Sequence, residues 1–196
     1  MINIAIFASG AGSNAEKIVA FFEHSHTVSV NLIVSNRANA RVLNVAGKWK
    51  ISALIIEKEQ FYSRDHYLGE LKKYQIDFIV LAGFLWKIPD ALISSYRQKI
   101  INIHPALLPK YGGKNMYGNY VHEAVIASND KISGITIHYV DEHYDHGDVI
   151  FQAQCDIEPG ETALSLAEKI HKLEHEHFPK IVEAVIKQTF KSEKSS

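Results

Sequence analysis

The feature that most constrains this chain is an alternation in its first hundred residues. Short runs of aliphatic and β-branched residues, too brief for helices, are separated by amphipathic segments. Ile2–Phe7, residues 28–34, residues 53–56, Phe78–Leu81 and residues 100–103 read as strands, and residues 15–23, 40–48 and 64–73 as helices. Strands this uniformly apolar must be covered on both faces, which is the situation of a parallel sheet between two helical layers. The expected class is therefore α/β, a Rossmann-like three-layer sandwich. In such sheets ligands bind beyond the carboxyl ends of the strands, where the strand order reverses.

The second half changes character. Residues 132–140 and 149–155 are strand-like and joined by a short connector rich in turn formers, so an antiparallel pair is expected there. Residues 162–187 read as a long helix, with Thr162 placed to cap it and Pro179 placed to break or bend it. Residues 188–196 read as a polar tail.

Composition excludes several classes. A net charge of −1, with no basic cluster, argues against nucleic-acid or membrane-surface binding. No apolar run approaches the roughly 20 residues of a spanning helix, and the apolar start MINIAIF, without a basic leader, reads as a first strand. The single cysteine, Cys155, lies in an apolar run as an inert thiol, and a reducing cytoplasm fits.

Three places carry chemistry. Ser9-Gly10-Ala11-Gly12-Ser13-Asn14 follows a strand and opens a helix. Backbone N–H groups there suit a phosphate, and a plain turn capped by Ser13 or Asn14 is the alternative. Position 15 is alanine, so the dinucleotide fingerprint is incomplete. Asn102 and His104 flank Ile103 at a strand end, and period-two alternation puts both on one side. An amide and an imidazole so placed can polarise a carbonyl oxygen as it becomes an oxyanion. A turn asparagine and a half-buried histidine are the alternative. The connector from Asp141 to Asp148 offers a solvated loop, a carboxylate to pair with His104, or a divalent-ion site. In the second case the carboxylate raises the His104 pKa and keeps it protonated. His171-Lys172-Leu173-Glu174-His175 matches the inverted zinc-protease pattern, but the chain leaves little room for a third ligand and zinc is rejected there.

Taken together, the chain resembles the folate-dependent glycinamide ribonucleotide formyltransferases of purine biosynthesis. The resemblance rests on Ser9 to Asn14, Leu81-Ala82-Gly83-Phe84, Asn102-Ile103-His104-Pro105-Ala106-Leu107-Leu108-Pro109-Lys110, Gly134 to His138, and Asp145 to Ile150. It implies one formyltransferase domain over residues 1–187. Asn102, His104 and Asp145 would be catalytic. Gly12, Ser13 and Asn14 would hold the phosphate and Glu174 the ribose, with Gly83 and Pro105 along the glycinamide arm. Arg64, Leu85, Trp86, Lys87, Ile88, Val140 and Asp141 would meet the folate, and the bond before Pro109 would be cis. The implied co-substrate is 10-formyltetrahydrofolate, the acceptor glycinamide ribonucleotide, and no metal is called for. A homodimer is compatible with the resemblance. Residues 111–120 read as a mobile loop over the substrates. The rival readings are formyl transfer to another amine, such as an amino-sugar nucleotide, and a non-catalytic nucleotide-binding module.

Overall fold

Residues 1–63 and 66–192 are described by a computed structural model. Five strands run parallel: β1 (Ile2–Phe7), β2 (Val28–Ser35), β3 (Ser52–Ile55), β4 (Phe78–Leu81) and β5 (Ile100–His104). β6 (Ile132–Tyr139) and β7 (Val149–Asp156) continue the same sheet antiparallel, in the order β3-β2-β1-β4-β5-β6-β7. The chain thus starts in the middle of the sheet, and the order reverses between β1 and β4. The clefts opened there lie at the carboxyl ends of β1, β4 and β5.

Alternation along β1 sorts the core into two layers. Ile4 and Ile6 point to one face and pack with Ala15, Ile18 and Val19 of α1 (Ser13–Phe22) and with Leu166, Ile170, Phe178 and Val182 of α7 (Ala163–Ser192). Ala5 and Phe7 point to the other, against Phe61 of α3 (Lys58–Tyr62), Leu71 of α4 (His66–Lys73) and Leu92 of α5 (Asp90–Ser95). Each fully buried side chain of this size stabilises the fold by roughly 1.5–3 kcal/mol. α2 (Val42–Trp49) and α6 (Asn119–Ala127) complete the first layer through Val42, Val45, Val121 and Val125.

The expected α/β sandwich, the antiparallel C-terminal pair and the long last helix are all present. Other expectations need correction. Three helices, α3, α5 and α6, were not anticipated: two are of only five and six residues, and α6 begins at Asn119, inside the end of the 111–120 loop, and runs on through residues given no assignment. The last helix runs unbroken through Pro179, where packing of Phe178 and Val182 on either side outweighs the lost hydrogen bond. It also continues past residue 187 to Ser192, because Phe190 packs against the core and lies under the Lys99 ammonium, 5.0 Å from its ring centre. Thr162 does cap it: its Oγ1 accepts the Ser165 N–H at 3.2 Å, and Ser165 Oγ accepts the Thr162 N–H at 3.1 Å.

Candidate active site

Period-two geometry on β5 places Asn102 and His104 on one side, and the turn after β6 brings Asp145 onto both. Asn102 Nδ2 lies 3.4 Å from Asp145 Oδ1 and His104 Nδ1 3.5 Å from Asp145 Oδ2. The connector reaches back because its base is clamped: the Tyr139 N–H donates to Asp148 O at 3.0 Å. Gly147 passes so close that a Cβ there would sit 2.0 Å from the Tyr139 carbonyl oxygen. Asp145 itself has φ 54°, a left-handed conformation that costs a non-glycine residue roughly 1–2 kcal/mol.

Three further groups stand in this cluster, none of which was assigned a role from the sequence. His138, buried on β6 and paired in register with Asn102, has Nε2 3.1 Å from Asn102 Nδ2 and 3.6 Å from Asp145 Oδ1. The Gly113 N–H donates to Asp145 Oδ2 at 2.9 Å. The Tyr111 carbonyl lies 2.8 Å from His104 Nε2, and Tyr111 is anchored through its hydroxyl, which donates to Asp130 at 2.8 Å. The 111–113 segment therefore covers the catalytic candidates. His138 was legible only once β5 and β6 were known to pair, and two backbone groups have no signature in a sequence.

Burial dominates the electrostatics. It pushes His104 below the usual imidazole value, against the upward pull of Asp145 and the Tyr111 carbonyl, while His138 pushes it further down. The Asp145 carboxylate does pull the His104 pKa upward, as expected, but burial outweighs it and the net direction is downward. For Asp145, burial raises the carboxyl, but His138, the His104 charge and the Gly113 N–H together hold it below the usual range. Asp145 is thus an anion at neutral pH, ringed by donors.

The turn beyond His104 is fixed by one hydroxyl. Thr136 Oγ1, fully buried, donates to Ala106 O at 2.7 Å and accepts the Leu108 N–H and the Gln152 side-chain amide, each at 2.9 Å. The Leu108–Pro109 bond is cis, as the resemblance implied. Pro105 is half-buried at the head of this turn.

On one flank lies the first glycine turn. Gly12 has φ 80°, and a Cβ on it would approach Val42 to 2.7 Å, so only glycine fits. It is Gly12, not Ser13 or Asn14, that occupies the cap of α1, and no side chain caps the helix there. The free N–H groups at this end suit an anion. Asn14 instead donates to Glu174 Oε2 at 2.9 Å, joining α1 to α7. Burial raises the Glu174 carboxyl, with Asn14 and His171 opposing. Asn14 Oδ1, His122 Nδ1 and His175 Nε2 are buried there without a hydrogen-bond partner. The His171 and His175 rings stack, 6.3 Å apart.

The start of the glycine turn is tied to the segment after β4: Gly83, with φ 75°, accepts the Ser9 N–H at 3.0 Å, and Ser9 Oγ accepts the Leu85 N–H at 2.9 Å. Trp86 joins an aromatic group with Phe61, Tyr62 and Phe84 at 5.7–6.4 Å. Lys87 offers its carbonyl to the Tyr62 hydroxyl at 3.2 Å. Ile88 is buried in the second core layer, and the Val140 N–H is spent on Ile100 O at 3.0 Å. Asp141 accepts from the His143 backbone N–H at 2.8 Å. Arg64 lies outside the described residues.

A family model described as Formyl transferase matches residues 2–182. The chain belongs to the formyl transferase family. This formyl transferase is 34% identical to phosphoribosylglycinamide formyltransferase of Bacillus subtilis over 200 residues, covering the whole of both chains. It is 37% identical to the chloroplastic phosphoribosylglycinamide formyltransferase of Vigna unguiculata over 94% of its own length, but spans only 61% of that relative. Among solved structures it resembles glycinamide ribonucleotide transformylase 1 of Geobacillus kaustophilus, 37% identical with a TM-score of 0.84, covering 93% of this chain and 97% of the other. Phosphoribosylglycinamide formyltransferase of Bacillus halodurans gives 33% identity and a TM-score of 0.85 over 94% and 95%. No helix among the described residues of this formyl transferase is long and apolar enough to cross a membrane.

Proposed function

We propose that this formyl transferase moves a formyl group from 10-formyltetrahydrofolate to the amine of glycinamide ribonucleotide, a step of purine synthesis. The observation that carries the reading is the meeting of Asn102 and His104 with Asp145 at 3.4 and 3.5 Å, in a chain that also has a phosphate-suited turn after β1 and an aromatic group after β4. Gly12, Ser13 and Asn14 take the phosphate and Glu174 the ribose, while Gly83 and Pro105 flank the glycinamide arm. Leu85, Trp86, Lys87, Val140, Asp141 and Arg64 line the folate side, with Ile88 supporting that wall from the core. Residues 1–192 work as one domain, since Phe190 near the end of the last helix packs against the core, in the cytoplasm. A homodimer is compatible with this arrangement, and sedimentation would measure it.

The amine nitrogen attacks the formyl carbon, and the carbonyl electron pair moves to oxygen. The Asn102 amide and the His104 imidazole donate to that oxyanion. Both His104 nitrogens face oxygens of the protein before substrate arrives, so the Tyr111 carbonyl must give up Nε2 to the oxyanion. A full anion there also favours the charged imidazole, which burial otherwise opposes. The attacking nitrogen has become cationic, and Asp145 relays its proton to N10. Collapse restores the carbonyl and breaks the bond to N10, which leaves as a neutral amine. No step requires a metal.

Asp145→Asn tests the reading, because an amide can neither hold the imidazolium nor take a proton. Turnover is expected to fall roughly 10²–10⁴-fold, with KM for both substrates within a few-fold. Turnover like that of the unaltered protein would remove Asp145 from the chemistry. The same assay with an amino-sugar nucleotide as acceptor decides between amines.

A further inference from the structure

The connector that carries Asp145 holds a second constellation, more exposed to solvent than Asp145. Asp141, His143 and His146 place one ligand atom each within 4.8 Å of one another. His146 Nδ1 is 3.3 Å from Asp141 Oδ2 and His143 Nδ1 is 4.0 Å from Asp141 Oδ1, and the two rings lie 5.4 Å apart. We propose that Asp141, His143 and His146 form a binding site for a divalent transition-metal ion of the zinc, cobalt or nickel kind.

The spacing matches what such an ion needs. Ligand bonds of about 2.0–2.2 Å in tetrahedral geometry put neighbouring ligand atoms about 3.3 Å apart, so His146 and Asp141 already stand at that separation. His143 closes the remaining gap by a side-chain rotation, which its exposure of 75% leaves free. Two imidazoles with one carboxylate favour a borderline-soft ion over magnesium or calcium, which prefer all-oxygen shells. Three protein ligands leave a position for water, and the cluster is open to solvent on that side, with His146 77% exposed. The two histidines bracket Tyr144 and Asp145, so a bound ion closes a ring around the residue held at φ 54°. The site uses none of Asn102, His104 and Asp145, and shares only Asp141 with the residues assigned to the folate side.

The test uses the whole chain, stripped with chelator and titrated with zinc chloride alone by calorimetry, beside a His143→Ala/His146→Ala double variant. Both side chains are exposed, and matching thermal melts of the apo proteins establish that the fold is kept. A single equivalent of zinc bound by the unaltered chain and lost in the double variant is the expected result. Cobalt chloride should then give the intense visible bands of a four-coordinate site, absent in the variant. Zinc binding that is equal in the two proteins, or absent from both, overturns the proposal. Neither readout depends on formyl transfer, so the site stands or falls separately from the catalytic reading.

Discussion

Acid should weaken this fold through one buried imidazole, His122 of α6. The residue is only 2% exposed, and its Nδ1 has no hydrogen-bond partner. Burial first, then the charges of His171 and His104, push its pKa from 6.5 down to about 4. The unfolded chain therefore binds a proton between pH 6.5 and 4 that the folded chain refuses. Stability is complete above pH 6.5 and falls as pH drops toward 4. At pH 5 the two values correspond to about 2 kcal/mol, or roughly 1–2 kcal/mol after allowing for solvent screening. Urea unfolding at pH 7.5 and pH 5 would read this as a midpoint loss, and His122→Leu should reduce that loss by about 0.5–1 M. His104, whose pKa is also depressed, contributes to the acid loss in both proteins and cancels from the comparison. Equal losses in the two proteins, or a His122 imidazole titrating near 6.5 by NMR, would refute the reasoning.

Two other expectations follow from close contacts and burial. Gly147→Ala drives a Cβ into the Tyr139 carbonyl and must displace the turn that holds Asp145. Turnover should drop at least about tenfold, since misplacing a catalytic group by an ångström costs up to 10²-fold, while calorimetric affinity for the ribonucleotide stays within a factor of about two. Burial raises the Cys155 thiol above its usual value, ahead of the smaller effects of Lys169, Glu161 and Asp156. A colorimetric disulfide reagent at pH 8 should therefore modify it more slowly than free cysteine, and unfolding in urea should abolish the difference.

Much of the architecture was readable because burial on both faces writes a strand directly into composition. Ile2–Phe7 and Phe78–Leu81 could be bounded to the residue for that reason. Short helices leave no such imprint: Lys58–Tyr62 is barely one turn, and Asp90–Ser95 is hidden behind Pro89. Asn102 and His104 were recognisable because two positions along a strand share a side. His138 meets them only through the pairing of β5 with β6, a long-range fact. The net downward shift at His104 was not legible because a sequence displays the attracting carboxylate but not the dielectric around the ring, and burial prevails here.

The hydrogen bond from Asn14 to Glu174 spans 160 positions of the chain. The ribosome makes Asn14 long before Glu174, so a nascent polypeptide holds the glycine turn well ahead of the carboxylate that completes its neighbourhood. Until the last helix has emerged and docked, Asn14 has no such partner and the sheet lacks part of its cover. Competence to hold a nucleotide should thus wait for that helix and arrive abruptly, not accumulate strand by strand.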